Sequence, residues 1–307
     1  MAGVWNDVGA FGLQRYEKKM VVANFSLSSV PFSLKMSYLC CAMIYYFSGT
    51  GNSLRVARHL AEVLDERLSS MTNPNPTDGE AIGLVFPVYA WGIPNVVEKF
   101  VGSFFKTGES CVEGTFLYAV MTCGDDVGYA DHVLDAALSR ACGRSLDAAF
   151  SVQMPNTYVC LPGFDVDSPE LVEAKLAREG NRVREVAELV RERRSERHLV
   201  RGGSPWAKTY MLRPLFRRFL LTDKYFHADA SRCTSCGKCQ KICPVGNILL
   251  IKGNQKQTLS ERGNGRRGVP LWQSHCVGCL ACYHACPHHA INFGCMTQKK
   301  GQYDLKI

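Results

Sequence analysis

The sequence lacks any apolar run long enough to cross a membrane, and it has few acidic side chains near its C terminus. No uninterrupted apolar stretch approaches the roughly 20 residues that span a bilayer, so an integral membrane protein is not expected. Residues 1–228 carry 25 basic and 25 acidic side chains, whereas residues 229–307 carry 11 basic and only 3 acidic ones. The whole net charge of +8 therefore lies in the C-terminal quarter, where it favours acidic partners.

Cysteine is the most unusual feature of the composition. The 307 residues include 15 cysteines, and 9 of these lie between residues 232 and 295. An odd total with such local clustering argues against the disulfide framework of a secreted protein. Thiols at short spacing in a reducing compartment usually bind metal, so the composition favours a cytoplasmic metalloprotein. The length and the apolar fraction of 46% allow two domains, each with a core.

Residues 1–42 differ from the rest of the chain. The stretch 21–34 is moderately apolar and faintly resembles a signal peptide, but Pro31 interrupts it and no small-residue cleavage site follows. We interpret residues 1–42 as an extension to the fold. It is either poorly ordered or the product of a start codon assigned too early, with Met36 or Met43 as the true initiator.

Strands and helices alternate over the next 160 residues. Short apolar runs predict strands at 42–47, 81–85, 115–121 and 148–154, and amphipathic periodicity predicts helices at 53–64, 95–105, 129–141 and 169–197. This alternation predicts an α/β domain over 43–200, with a doubly wound parallel sheet and helices on both faces. Residues 201–228 break the rhythm with Gly, Pro and a basic cluster, Arg213, Arg217 and Arg218, and we predict a linker with one short helix.

An internal repeat occupies residues 229–307. Cys233, Cys236, Cys239 and Cys243 are followed by Pro244, and the same spacing recurs 43 residues later at Cys276, Cys279, Cys282, Cys286 and Pro287. A pair of zinc sites is the alternative to a cluster-binding domain. Zinc prefers two pairs of cysteines per ion, which would leave the third and fourth cysteines surplus.

The repeat resembles the bacterial-type two-[4Fe–4S] ferredoxin domain, a small α+β fold, over its full length. In that family the fourth cysteine of each run ligates the other cluster. The resemblance therefore implies one cluster on Cys233, Cys236, Cys239 and Cys286, and a second on Cys276, Cys279, Cys282 and Cys243. The link between the two runs, residues 244–275, is longer than usual and contains a basic turn.

A loop rich in glycine and hydroxyl groups joins the first strand to the first helix. This loop, which we call the phosphate loop, consists of Ser48, Gly49, Thr50, Gly51, Asn52 and Ser53. Hydroxyls and backbone amides at a helix N terminus form an anion site. The loop has no lysine and lacks the motif that binds nucleoside triphosphates, so it suits a phosphate monoester. A simple capped turn is the alternative.

An aromatic loop, residues 86–94, follows the second predicted strand, and a third loop, residues 121–126, follows the third. Both strands end at the same edge of the predicted sheet, where such folds bind ligands. Together with the phosphate loop these two loops resemble flavodoxin over residues 42–199. The resemblance implies that Ser48, Thr50, Gly51, Asn52 and Ser53 hold the phosphate of FMN. It implies that Tyr89, Ala90, Trp91 and Gly92 flank one side of the flavin, and Thr122, Cys123 and Gly124 the other. Cys123 stands where the usual loop bears an aromatic residue.

The two modules occur in the order found in the flavodoxin–ferredoxin fusion family of anaerobes. That resemblance implies an electron-transfer protein in which FMN exchanges electrons with two [4Fe–4S] clusters. Two alternatives stay open: a flavin-dependent reductase of a small molecule, and a ferredoxin whose flavodoxin-like module has lost flavin and serves only docking. We expect redox proteins, acidic ones in particular, to dock on the basic C-terminal domain. Nucleic acid is not an expected partner because interleaved aromatic and basic residues are missing.

Overall fold

The computed structural model describes residues 42–76, 79–106, 114–251 and 268–303. Apart from Ala42, the predicted extension lies outside the described residues. Most of the basic turn between the two cysteine runs also lies outside them.

A six-stranded parallel sheet forms the N-terminal domain. Its strands are β1 (Met43–Tyr46), β2 (Arg67–Ser70), β3 (Ala81–Pro87), β4 (Phe116–Cys123), β5 (Ala148–Gln153) and β6 (Arg197–His198). They lie in the order β2–β1–β3–β4–β5–β6, and every pairing is parallel. The first five strands have the flavodoxin-like order. In this order β2 is added on one side of β1 and the later strands on the other side, starting with β3. The predicted doubly wound fold is confirmed.

Four helices cover the two faces of this sheet. They are α1 (Asn52–Leu64), α2 (Asn95–Phe104), α3 (Ala130–Cys142) and α4 (Pro169–Arg191). Leu60 of α1 and Val186 of α4 share one buried core, whereas Phe100 of α2 and Leu134 of α3 share the other. The bounds predicted for α1 to α3 and for the four predicted strands agree with the structure to within two residues.

The helix predicted at 169–197 is too long. It ends at Arg191, and Arg193 adopts a left-handed backbone with φ of 50° that no helix can continue. The chain then turns back, and β6 pairs with Ala149 and Phe150 of β5. Strand β2 is also absent from the sequence prediction, because its four residues, half of them serine, carry no apolar run.

The contact between Gly83 and Tyr118 gives a test of this core. A Cβ atom on Gly83 would lie 2.5 Å from the ring of Tyr118, which is fully buried. We expect Gly83→Ala to lower the free energy of unfolding by about 1–3 kcal/mol through overpacking. Gly102→Ala is the matched control, because a Cβ there meets nothing within 4 Å and alanine favours a helix by up to about 1 kcal/mol. Urea unfolding followed by far-UV circular dichroism compares the two, and equal midpoints would contradict the prediction.

Residues 201–228 are more structured than the linker predicted there. A wide-turned π-helical stretch, Ala207–Leu212, continues directly into α5 (Arg213–Phe219). Strand β7 (Phe226–Ala228) then pairs antiparallel with β10 (Ile291–Phe293) of the C-terminal domain. The segment predicted as a linker therefore contributes a strand to the second domain.

The C-terminal domain is small and of the α+β type, as predicted. Besides β7 and β10 it contains an antiparallel pair, β8 (Ile248–Ile251) and β9 (Val269–Trp272), and two short helices, α6 (Lys238–Ile242) and α7 (Ala281–His284). Each helix begins within the cysteine run of one repeat. None of the helices in the described ranges combines the length and the apolar character that a bilayer crossing requires.

Candidate redox site

The three predicted loops converge on one cavity of about 420 Å³. It opens at the carboxyl edge of the parallel sheet, where β1, β3, β4 and β5 end. Ten of the twelve residues predicted to bind the flavin line it: Ser48, Thr50, Asn52, Ser53, Tyr89, Ala90, Trp91, Thr122, Cys123 and Gly124. Gly51 lines a neighbouring cavity instead. Gly92 lines neither, because the side chain of Arg213 packs against it.

The phosphate loop is held in shape by its own side chains. The Gly51 amide donates to Ser48 Oγ at 3.1 Å, and Gly51 has a φ of 97° that glycine adopts without strain. Ser53 Oγ lies 2.7 Å from Thr122 Oγ1, which joins this loop to the third loop. Asn52 donates from Nδ2 to the carbonyl of Pro155 at 2.9 Å. Asn52 and Ser53 therefore position the loop, and Thr50 is the candidate for direct contact with an anion.

The aromatic loop is a tight turn after β3. Tyr89 and Gly92 exchange two backbone hydrogen bonds of 3.0 and 3.2 Å, and both residues between them have left-handed backbones, with φ of 47° at Ala90 and 54° at Trp91. Non-glycine residues rarely adopt this conformation, so the turn stores strain where it meets the cavity. The Trp91 ring packs edge-on against Phe216, with centroids 5.4 Å apart.

Tyr89 lies on the other side of this turn, close to the second cysteine run. Its ring packs edge-on against Phe47, with centroids 6.5 Å apart. Removal of the Tyr89 hydroxyl from water raises its pKa well above the ordinary value, and nearby Cys279 and Cys276 raise it further. The phenol is therefore a neutral hydrogen-bonding group. That Tyr89 and Trp91 flank one side of a flavin stays a prediction.

The third loop carries a thiol that stays protonated. Cys123 is buried, and burial raises its pKa to about 12, helped by Asp126 and Asp125. A neutral thiol here packs as a small apolar group. Asp126 is held by Lys208, whose Nζ donates to Oδ2 at 2.6 Å.

Several residues of the cavity were not predicted. Met154, Pro155, Asn156, Thr157 and Tyr158 follow β5, so the rule that predicted the other loops would also have found them. The other missed residues come from more distant segments: Phe164, Lys208, Phe216, Leu221, Gly278, Cys279 and Leu280. No pattern in the sequence predicts that these residues line the cavity, because they reach it through tertiary packing.

The eight repeat cysteines fall into two groups of four. Cys233, Cys236, Cys239 and Cys286 line one small cavity, and Cys243, Cys276, Cys279 and Cys282 line a second. These groups coincide with the two ligand sets that the ferredoxin resemblance implies. In each set one cysteine comes from the other run, because the fourth cysteine of a run lies beside the first three of its partner.

The surroundings of these thiols fit iron–sulfur clusters. Backbone amides donate to sulfur in both groups: Asn247 to Cys243 Sγ at 3.2 Å, Gly278 to Cys276 Sγ at 3.3 Å, and Ala290 to Cys286 Sγ at 3.3 Å. Such bonds stabilise the negative charge of cluster sulfur and tune its potential. Burial raises the pKa of Cys239 and of Cys276 to about 11. Without iron these two thiols are therefore neutral, and ligation must displace their protons.

Comparison with known proteins identifies the second domain. Residues 232–291 match the family model of the 4Fe-4S dicluster domain. The chain joins a flavodoxin-like domain to a 4Fe–4S dicluster domain. The family match of the second domain supports the binding of iron–sulfur clusters and a role in electron transfer.

The proteins that the chain is similar to are distant in sequence. NADH-quinone oxidoreductase subunit I 2 of Symbiobacterium thermophilum is 29% identical over 90 residues, 29% of this chain and 32% of that one. The chain thus matches about a third of the length of that relative. The flavodoxin of Streptococcus pneumonia TIGR4 covers 49% of this chain and 97% of its own, at 13% identity and a TM-score of 0.32. A short-chain flavodoxin associated with a non-canonical PDU bacterial microcompartment covers 50% and 99%, at 15% identity and a TM-score of 0.33.

The dicluster domain contacts the phosphate loop directly. A Cβ atom on Gly49 would lie 2.6 Å from Cβ of Cys279 and 2.7 Å from the hydroxyl of Tyr89, so only glycine allows this approach. Cys279 lines both the cavity of the flavodoxin-like domain and the second cysteine cavity. Leu280 also lines both cavities, so two neighbouring residues form the wall between the two sites.

A chain of hydrogen bonds fastens the domains together beside this wall. The backbone amide of Tyr303 donates to His284 Nδ1 at 3.1 Å, so Nε2 carries the proton and donates to the carbonyl of Thr157 at 2.8 Å. The Tyr303 hydroxyl donates to Asn52 Oδ1 at 3.2 Å. Burial lowers the pKa of His284 to about 4, so the ring is neutral at neutral pH. The network links the second cysteine run to two loops of the 420 Å³ cavity.

Proposed function

We propose that the protein binds FMN in the 420 Å³ cavity and exchanges its electrons with two [4Fe–4S] clusters in the dicluster domain. A flavin takes up two electrons and can release them singly, and each cluster passes one. The proposal is carried by one observation, the position of Cys279 between the cavity and the second group of cysteines. This arrangement makes the protein a converter between two-electron and one-electron carriers.

The cavity suits FMN in size and in chemistry. Its volume lies within the roughly 300–1,000 Å³ of small-molecule sites. Polar residues such as Thr50 and Asn156 and aromatic residues such as Tyr89 and Trp91 line it together, which suits a ligand with a charged tail and a planar ring system. The phosphate would take the hydroxyls and amides at the start of α1.

The two cysteine groups differ in their distance from the cavity and from solvent. Cys279 gives the second group (Cys243, Cys276, Cys279 and Cys282) a direct border with the cavity, whereas the first group contains Cys236, which is exposed. Exposed lysines, Lys238 and Lys241, lie near Cys236 in the sequence. We infer a path from flavin to the second group, then to the first, and from there to an acidic redox protein docked on this basic surface.

FMN binding tests the proposal. Riboflavin, which lacks the phosphate, should bind much more weakly than FMN. Thr50→Ala removes one hydroxyl donor to a charged group, worth about 1.5–3 kcal/mol, so FMN affinity should fall roughly ten- to a hundred-fold. Flavin fluorescence quenching in a titration of anaerobically purified apoprotein measures both.

Thr50→Ser is the control, because it keeps the hydroxyl and should retain most of the affinity. Riboflavin binding should be unaffected by Thr50→Ala. Equal binding of FMN and riboflavin would refute the phosphate site. If neither bound, a flavodoxin-like module that serves only docking would become the better interpretation.

A further inference from the structure

The helix that connects the two domains presents an apolar surface to solvent. It comprises Ala207–Leu212 and α5, with Trp206 directly before it. Six large apolar side chains of this helix are 42–60% exposed: Trp206, Tyr210, Met211, Leu212, Leu215 and Phe219. We call these six residues the helix patch. Exposed apolar surface of this density on one element marks a site of interaction with another protein or with a membrane.

The helix patch is held outward because the opposite side of the helix is fixed in the protein. Thr209 is buried, and its Oγ1 donates to the carbonyl of Trp91 at 3.0 Å and accepts from the amide of Tyr129 at 2.9 Å. Arg213 is buried and donates to the carbonyl of Ile93 at 3.3 Å. With this side anchored, rotation of the helix cannot bury the six apolar residues.

The segment that carries the helix patch is basic. Residues 201–228 contain six basic side chains and a single acidic one, Asp223. Asp223 is buried, and it accepts a hydrogen bond from Asn247 Nδ2 at 3.0 Å. Arg218 and Lys224 are exposed. Glu98 of α2 pairs with Arg217 at 3.3 Å and offsets the charge of that arginine. An incoming surface therefore meets apolar side chains together with the exposed cations Arg218 and Lys224, and no exposed carboxylate of this segment.

We propose that the helix patch docks the protein on an anionic lipid surface. A helix with Trp, Phe and Leu on its outer side and arginine at its end lies in the interface of a bilayer, where apolar burial and attraction to anionic headgroups add together. Each Lys or Arg near such a surface contributes about a fivefold gain in binding. The docking does not depend on the proposed flavin.

Docking in this orientation places the cavity next to the lipid. Lys208 and Phe216 belong to the same helix and line the cavity on its inner side. A helix with its side chains is about 10–12 Å across, so only this helix would separate the cavity from the headgroups. The exposed cysteine of the first group, Cys236, belongs to the other domain.

Sedimentation with lipid vesicles tests the proposal on the purified holoprotein. Vesicles of equal parts phosphatidylglycerol and phosphatidylcholine should bind the protein at low salt, and vesicles of phosphatidylcholine alone should bind it much more weakly. Leu215→Ser should weaken binding to the anionic vesicles about tenfold. Arg218→Gln and Lys224→Gln should each weaken it about fivefold, and high salt should weaken it further.

Leu171→Ser is the matched control. Leu171 lies on α4, is 43% exposed and has Glu170 and Glu173 as neighbours in sequence, so its replacement should leave binding unchanged. The iron–sulfur absorbance of every variant should equal that of the wild type, which shows that the fold is intact. Equal binding of wild type and Leu215→Ser, or no binding to anionic vesicles at low salt, would overturn the proposal. So would a dimer in solution that Leu215→Ser dissociates, because the helix patch would then join two copies.

Discussion

Cys239→Ala and Cys286→Ala should damage the same iron–sulfur cluster, although the two residues lie in different repeats. Both line the first cysteine cavity, together with Cys233 and Cys236. The reconstituted wild type should hold about eight irons in two clusters, and each variant should lose up to four of them. Electron paramagnetic resonance of the reduced protein identifies which cluster is lost or altered.

The crossed ligation also predicts the complementary result. Cys243→Ala should damage the cluster of Cys276, Cys279 and Cys282, because Cys243 lines their cavity rather than that of its own run. Cys295→Ala is the control, since Cys295 is exposed and lies outside both cavities, and it should leave both signals intact. If Cys286→Ala altered the same signal as Cys276→Ala, the ligation would run within each repeat and the assignment would be wrong.

Loss of the cluster nearer the cavity should disconnect the flavin from the other one. The second group of cysteines borders the cavity through Cys279, and no residue of the first group lines it. In Cys282→Ala, electrons placed on the flavin by photoreduction should no longer reach the first cluster on the timescale of the wild type. In Cys239→Ala they should still reach the second cluster. Rapid freezing after a light flash, followed by electron paramagnetic resonance, distinguishes the two variants.

The inferred order of the centres is tested by the difference in electron transfer between Cys282→Ala and Cys239→Ala. Each should bind the proposed FMN as the wild type does, because neither Cys239 nor Cys282 lines the 420 Å³ cavity. Flavin absorbance in the purified variants provides that control. If both variants passed electrons from flavin to the remaining cluster equally fast, the inferred order of the centres would be wrong, whereas FMN binding itself would be unaffected.

Patterns in the sequence predicted the elements whose signal is local. Four strands of the parallel sheet are short apolar runs. The loops after β1, β3 and β4 are predicted to form one site because the carboxyl ends of parallel strands share one edge of the sheet. The loop after β5 obeys the same rule and also lines the cavity. The end of α4 has no signal in the sequence because residues 192–197 are as charged as the helix before them, and only the left-handed backbone at Arg193 shows the break.

The segment at 201–228 shows why the rest was not predictable. Its glycines, proline and arginines are typical of a linker, yet Thr209 and Arg213 are buried. Their partners are backbone groups of Trp91, Tyr129 and Ile93, which lie 80 to 120 residues earlier in the chain. Hydrogen bonds of this range leave no periodicity that a sequence pattern can display.

The sequence by itself determined the chemistry of this protein, and the tertiary structure decided how its centres are connected. The spacing of the cysteines and the composition of the phosphate loop are local features of a few residues each, so the sequence shows them without knowledge of the fold. The contact of Gly49 with Cys279 joins residues 230 positions apart. It exists because the domains pack together and only glycine leaves room for the cysteine. Packing between distant segments is set by shape and burial across the whole chain, and so the sharing of one wall by the cavity and the second cysteine group is a property of the fold.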